Sequence, residues 1–215
     1  LFEAQAKKTP NSIAIVFEGE TLTYQQLNER ANQLARYLGS RGVGSDVLVG
    51  MSIDRSIEMI VGILGVLKSG GAFVPIDPQY PQDRIDYMLE DSGVQIVLSM
   101  SSCVGTLQDT NQLEVILLDA EWAQKISKRS VRNFKRVAKT TDIAYTIYTS
   151  GSTGKPKGVK LQHASLMNFL MSTVDRLEMS ELEMFLSVTT YTFDIFYLEL
   201  FTPLMTGAKV AMLDA

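Results

Sequence analysis

YTSGSTGKPKG, running from Tyr148 to Gly158, is the stretch on which the reading of this chain turns. Every residue in it after Tyr148 is Gly, Ser, Thr, Lys or Pro. Gly151, Gly154 and Gly158 allow backbone turns that side chains would block. Such turns aim successive N–H groups into one concavity, an anion nest. Thr149, Ser150, Ser152 and Thr153 add hydroxyl donors. Lys155 and Lys157 add positive charge, and Pro156 stiffens the turn between them. A polyphosphate wants many short donors and a counter-charge, so the stretch suits one. It is not the P-loop of a nucleotide triphosphatase, which needs G-x-x-x-x-G-K-[ST]. Here Pro156 follows Gly154-Lys155, and Thr149 stands where the first glycine belongs. The plainer reading is a polar hairpin loop, but hairpin turns need one or two glycines, not this sequence.

Outward from the loop, strand-like and helix-like runs alternate, which predicts an α/β fold of layered, parallel-rich sheets flanked by helices. Ile143–Tyr148 leads in, Val159–Leu161 leads out, and a helix follows from about Ala164. Upstream, Ile13–Phe17 reads as a strand. Thr23 and Gln26 fit a capping box, and Leu22 with Leu27 fits a hydrophobic staple, so a helix starts there. Leu27, Ala31, Leu34, Ala35 and Leu38 share one face of it, and Gly39 is placed to supply a left-handed C-terminal residue. Val47–Ile53, Ala72–Ile76, Val94–Leu98 and Val115–Leu118 read as strands. Between them, Ile57–Leu67 is an apolar helix in which Gly62 and Gly65 permit close packing, and Pro81 starts a helix ending near Ser92-Gly93. Asp194 opens the last helix, Gly207 closes it, and Lys209–Leu213 is a final strand.

Composition sets bounds. The 215 residues can bury a sizeable core, and 46% hydrophobic with 20% charged residues is the mix of a soluble globular protein. A net charge of −4 argues against a polyanion binder overall. One cysteine, Cys103, excludes an internal disulfide and a cysteine zinc cluster, and suits a cytoplasmic setting. No apolar run reaches membrane-span length, and the N-terminus lacks the order of a signal peptide. The chain lacks an initiator Met and stops just after a strand-like run, so we read it as an excised piece. Lys125–Lys139 stands apart: seven of its residues are Lys or Arg and none is acidic. It reads first as a solvated connector between two units, with a subdomain boundary near residues 120–141. Its alternative is a docking patch for nucleic acid or for a carrier domain.

YTSGSTGKPKG resembles the phosphate-binding signature of the adenylate-forming enzymes, which include acyl-CoA synthetases, luciferase and the adenylation domains of nonribosomal peptide synthetases. Three further stretches resemble core motifs of the peptide synthetase branch: Leu22-Thr-Tyr-Gln-Gln-Leu-Asn28, Leu67-Lys-Ser-Gly-Gly-Ala-Phe-Val-Pro-Ile-Asp-Pro78 and Phe193-Asp-Ile-Phe-Tyr-Leu-Glu199. The last is usually F-D-x-S-x-x-E, and Phe196 replaces the Ser. The resemblance covers the whole chain and implies the N-terminal portion of the acyl-CoA synthetase/luciferase-like fold, truncated. It implies amino-acid activation with ATP and Mg2+, then transfer of the acyl group to the phosphopantetheine thiol of a peptidyl carrier domain, beside a condensation domain, in secondary metabolite biosynthesis.

By the same resemblance, Thr149, Ser150, Gly151, Ser152, Thr153, Gly154, Lys155 and Lys157 hold the nucleotide phosphates, with Thr149 and Lys157 acting in catalysis. Asp194 takes the substrate's α-ammonium group, and a buried ammonium does need an anionic partner. Asp194 could equally cap the helix that starts at Ile195. Ile195 and Leu198 line the side-chain pocket or belong to the core. Glu199 is structural, with a partner that the sequence does not name, and the lone His163 has a packing or capping role. No adenine, ribose or magnesium site and no lid lysine can be located, so the isolated chain is expected to be inactive and to self-associate through exposed edges. The competing readings are an acyl- or aryl-CoA ligase of the same superfamily, a non-catalytic docking fragment of a synthetase, and a nucleic-acid binder.

Overall fold

The computed structural model describes residues 1–107, 113–135, 138–150, 155–177 and 183–213. Its elements in chain order are α1 (Phe2–Lys8), β1 (Ile13–Phe17), β2 (Glu20–Thr23), α2 (Tyr24–Gly39), β3 (Leu48–Ser52), α3 (Ile57–Ser69), β4 (Ala72–Pro75), α4 (Gln82–Ser92), β5 (Ile96–Ser99), β6 (Glu114–Leu117), α5 (Leu118–Glu121), β7 (Ile143–Thr149), β8 (Lys157–Gln162), α6 (His163–Leu177), β9 (Met184–Ser187), α7 (Asp194–Thr206) and β10 (Lys209–Met212). They form two sheets. The larger runs β6-β5-β3-β4-β7-β8 and the smaller β2-β1-β10-β9. Every pairing in the larger sheet is parallel except the hairpin β7–β8 at its edge. In the smaller sheet β9, α7 and β10 form a parallel βαβ unit.

The signals at the helix ends explain why these residues form these elements. Thr23 accepts from the Gln26 backbone at 3.2 Å while the Gln26 side chain accepts from the Thr23 backbone at 2.9 Å, so the capping box is complete. The Ser56 hydroxyl caps α3, and Gly70, Gly93 and Gly207 end α3, α4 and α7 in the left-handed conformation. Gly39 does not play that part: it is the last residue of α2, and Ser40 after it is right-handed. Tight turns from Ser40 to Arg36, Arg41 to Leu38 and Gly42 to Gly39 postpone the reversal to Gly42, whose φ is 88°.

The parallel strands read as near-continuous apolar runs because both faces of their sheet are covered. On one face α2, α3 and α7 fill the space between the sheets, from Ile15 and Val210 of the smaller to Phe73, Leu98 and Tyr145 of the larger. On the other, α4 covers Val74, Val97 and Tyr148 through Ile85 and Met88. Both β6 and β7, which flank the basic run Lys125–Lys139, belong to the larger sheet. Among the described residues no helix is long and apolar enough to cross a membrane.

Gly65 sets the closest approach of α3 to α2. A Cβ there would lie 2.7 Å from Leu34 Cδ2 and 3.0 Å from Leu34 Cβ. Leu34 is fully buried and has no room to give. Overpacking this contact separates the helices, so Gly65→Val should destabilise the chain by about 2–3 kcal/mol. Urea unfolding checks this, with an unchanged midpoint as the contrary result.

Candidate functional site

Hairpin β7–β8 positions the glycine-rich loop at the carboxyl end of β7, the side of a parallel sheet where ligands bind. Its register pairs Tyr148 with Gly158 and Thr149 with Lys157. The two residues expected to act in catalysis therefore face one another across the mouth of the loop, and both are exposed. Gly158 has a different use from the one expected. It is a strand residue, and a Cβ on it would meet the Tyr148 ring at 3.2 Å and Thr146 at 3.1 Å. Its lack of a side chain lets the Tyr148 ring cross the hairpin. That phenol donates to Asp91 Oδ2 of α4 at 2.7 Å, and burial with the nearby carboxylate pushes its ionisation well up. Lys155 lies 5.5 Å from the centre of the Tyr87 ring, also on α4, a cation–π contact. So α4 braces the loop's root on both sides. Ser150 is exposed just beyond β7. Gly151, Ser152, Thr153 and Gly154 lie outside the described residues.

Asp194 sits in the first turn of α7, beyond the carboxyl end of β9. Phe193 is the cap residue and no side chain caps the helix, so the capping role considered for Asp194 is not the one it plays. An acid in this first turn complements the helix dipole. Asp194 is exposed, Ile195 is 57% exposed and Leu198 is partly buried, while Phe196, Tyr197 and Glu199 to Leu204 are buried. Asp194, Ile195 and Leu198 thus share the open side of α7, and the rest of its circumference is core. Asp194 is near enough to Tyr145 of β7 to help push that phenol up to about 12, burial being the larger cause. The Tyr145 and Tyr197 rings lie 4.5 Å apart and join α7 to β7. Tyr145 precedes Thr149 by four strand residues, about 13 Å along β7. The ammonium-binding candidate and the phosphate-loop candidate thus both meet one strand, at Tyr145 and at Thr149.

Two cavities stand out elsewhere. One, of about 530 Å³, lies at the amino ends of β3, β5 and β7, among Arg41, Asp46 and Lys160. The other, of about 370 Å³, is an apolar groove between α1, α6 and α7 that includes His163. Neither is lined by Asp194, Ile195, Leu198, Thr149 or Lys157. The candidate residues lie instead along β7, at the start of β8 and on the first turns of α7. His163 opens α6, and its backbone N–H donates to the Asp142 carbonyl at 3.0 Å. Among the described residues no three His, Cys, Asp or Glu side chains come together as a metal site.

The segment before Asp194 is held unusually firmly. Glu199, 6% exposed, accepts from Val188 N at 3.0 Å, Thr189 N at 3.1 Å and Thr189 Oγ1 at 2.6 Å. Arg55, after β3, donates to the Ser187 carbonyl at 3.0 Å and to the Thr189 carbonyl. The Tyr191 phenol donates to the carbonyls of Met51 at 3.0 Å and Ile76 at 2.8 Å. Tyr197 closes the turn by donating to the Tyr191 carbonyl at 2.6 Å.

Comparison with known proteins gives the family. The profile described as AMP-binding enzyme matches residues 2–215, so the chain belongs to that family. It is 42% identical over 214 residues to a zwittermicin A synthase of Bacillus cereus, covering 99% of this chain and 40% of that protein. It is 47% identical over 214 residues to tyrocidine synthase 3 of Brevibacillus parabrevis, covering 99% of this chain and 3% of that protein. The chain therefore spans well under half the length of these curated relatives. Among solved structures, the nonribosomal peptide synthetase FmoA3 superposes with a TM-score of 0.90 at 32% identity, over 98% of this chain and 22% of that one. The N-terminal subdomain of Klebsiella oxytoca NpsA, in complex with 3-hydroxybenzoyl-AMSN, gives 0.84 at 26% identity, over 99% of this chain and 52% of that one. The parallel-rich fold expected from sequence is the one these neighbours have.

The Arg55 and Tyr191 contacts were not legible in the sequence, since both residues act on backbone atoms far away in the chain. The structural partners of Glu199, which the sequence does not name, are two backbone amides and a hydroxyl. Glu199→Gln puts an amide donor against donors. It should destabilise the chain by about 2 kcal/mol. Amide hydrogen exchange at Val188 and Thr189 should speed up selectively, and unchanged exchange there would contradict the assigned role.

Proposed function

We propose that this member of the AMP-binding enzyme family is the N-terminal part of an amino-acid-activating adenylation domain in a nonribosomal peptide synthetase. The observation that carries the reading is the hairpin, with Thr149 opposite Lys157 at the mouth of a glycine–hydroxyl loop and Asp194 near Tyr145 of the same strand. In the reaction, the carboxylate oxygen of an amino acid attacks the α-phosphorus of ATP. An oxygen–phosphorus bond forms and the bond to pyrophosphate breaks, giving an aminoacyl-adenylate. The phosphopantetheine thiol of a peptidyl carrier domain then displaces AMP, and a condensation domain uses the thioester.

Both partners of the first step are anions, so the protein must offset charge and align them. Thr149, Ser150, Ser152 and Thr153 donate hydroxyls to the β- and γ-phosphates, the loop glycines bring backbone N–H groups close, and Lys155 and Lys157 supply the counter-charge. Asp194 holds the α-ammonium group and so fixes which way the carboxylate points. Ile195 and Leu198, on the same open side of α7, form part of the wall against the amino-acid side chain. Mg2+ would neutralise phosphate charge when it arrives with the nucleotide, and its protein ligand lies outside this chain. By itself the 215-residue chain does not form adenylate, and its open edges favour self-association. The whole protein works in the cytoplasm.

The second reading is an aryl- or acyl-CoA ligase of the same superfamily. The likeness to the NpsA subdomain, solved in complex with 3-hydroxybenzoyl-AMSN, is what favours it. Asp194 argues for the first, because a plain acid has no ammonium for it to hold.

In the synthetase that carries this chain, Asp194→Asn should lower amino-acid-dependent ATP–pyrophosphate exchange about a hundredfold or more, the loss of one charge-assisted contact in a closed site. Exchange with the deaminated acid should be nearly unaffected. Equal loss with both substrates would leave the amine anchor without support. Thr149→Ala and Lys157→Ala should depress exchange with either substrate, which separates loop function from amine recognition.

A further inference from the structure

Lys125–Lys139 holds seven of the chain's 20 Lys and Arg and none of its 24 Asp and Glu. The other 200 residues therefore carry 13 cations against 24 carboxylates. Such an asymmetry is the footprint of a charged partner when the cations are fixed in place, and a solvated connector when they are not. Here the backbone from Ser127 to Asn133, which carries Lys128, Arg129 and Arg132, is fixed. Side chains of α2 reach out and hold the backbone of the run. Asn32 Nδ2 donates to the Val131 carbonyl and to Asn133 Oδ1, each at 2.8 Å. Asn28 donates to the same Asn133 oxygen at 2.9 Å. Gln33 Nε2 donates to the Ser127 carbonyl at 2.6 Å and Arg36 to the Arg132 carbonyl at 3.0 Å. Asn32 is fully buried and Gln33 nearly so, on a helix whose other buried residues are apolar or aromatic. A buried amide is costly unless it is used, and these are used to hold an irregular segment in one shape.

With its carbonyls turned toward α2, the segment leaves Lys128, Arg129, Arg132 and Lys135 exposed, Arg129 lying over the Tyr37 ring at 5.8 Å and donating to Ser40 Oγ at 3.4 Å. None has a carboxylate in ion-pair range among the described residues, in contrast to Lys125, Arg41 and Arg30, which pair with Glu121, Glu114 and Glu58. We propose that this α2-braced rim, from Lys128 to Lys135, is a docking surface for an acidic protein surface. Nucleic acid fits it poorly. The aromatics nearby, Trp122 and Phe134, are already covered by Arg30 at 5.1 Å and Arg36 at 4.7 Å, which leaves no ring for a base to stack on. The acidic remainder of the chain would also repel an extended polyanion, whereas a protein presents its carboxylates as a local patch. The rim stands independently of the adenylation reading: it is braced by α2, which contributes none of the candidate site residues.

The test uses the full 215-residue chain and a fluorescein-labelled helical peptide with glutamates along one face, read by anisotropy. Saturable binding is expected, weakening about tenfold between 50 and 200 mM NaCl as screening sets in. Reversal of the four rim cations (K128E, R129E, R132E, K135E) should weaken it at least tenfold, since each reversal turns attraction into repulsion. The control pair K7E and K8E, on α1, should change it less than about twofold. Asn32→Ala with Gln33→Ala keeps every charge and removes the brace, so it should weaken binding roughly threefold by returning freedom to the rim. Asn133→Ala, on the exposed side of the brace, serves if the double variant unfolds. No binding, equal losses from rim and control reversals, or a brace variant that binds as tightly as the native chain would overturn the proposal. Tighter binding of a uridine 16-mer than of the peptide would also overturn it, in favour of nucleic acid.

Discussion

The geometry of the site hangs on one buried phenol. Tyr191 lies in the segment between β9 and α7, and its hydroxyl reaches the carbonyls of Met51 and Ile76, where β3 and β4 end. Buried carbonyls at strand ends must find donors. The Met51 carbonyl takes the Ile76 N–H at 2.8 Å, and Tyr191 adds a contact there while reaching the Ile76 carbonyl itself. The smaller sheet is thereby pinned to the larger at the edge where ligands bind to such folds. Complete burial holds the hydroxyl firmly in its protonated form, its ionisation pushed well above the usual phenol value, so it remains a donor at any ordinary pH. Arg55 and Glu199 then fix the residues on one side of Tyr191, and Tyr197 the carbonyl of Tyr191 itself. Asp194 comes three residues later. Its place relative to β7 follows from this joint more than from its own contacts.

Much of the fold could be read from the sequence where local chemistry dictates structure. The capping box at Thr23, the small residues of α3 and the glycines that close α4 and α7 are local decisions. So is the loop after Tyr148. What escaped depended on distant partners. β9 is four residues long and becomes a strand by pairing with β10, more than twenty residues on. α1 has seven residues, too few for an isolated helix to persist, and is held by contacts such as that between the Phe2 and Tyr24 rings. β2 has a local signal of its own. Glu18 and Gly19 both take positive φ, which makes a two-residue hairpin turn, and a Gly at that place between two β-prone runs is the mark of one.

The site residues divide the same way. Asp194 and the loop were legible as motifs. Their relation to one another was not, because Tyr145 links them through ring packing with Tyr197 and Phe73 across three elements. Gly158 was legible as necessary but for a different reason. A turn glycine and a glycine that makes room for a crossing ring look alike in sequence. The clearance of 3.2 Å to the Tyr148 ring tells them apart.

A hairpin at the edge of a parallel sheet also explains how a bare loop can be held. A parallel crossover after β7 would need a dozen or more residues and a covering helix. An antiparallel return needs neither, so the chain can run out to Thr149, make its loop and come straight back at Lys157. The cost is an exposed edge strand, and β8 carries Lys157 and Lys160 there, charges that discourage pairing with a foreign strand. Lys157 thus answers two demands at once: it blunts the open edge, and it stands opposite Thr149 where an anionic ligand in the loop would meet it. The second demand does not follow from the first, since any charged residue protects an edge. It follows from the register, which sets this lysine, and not Lys160, level with the last residue of β7.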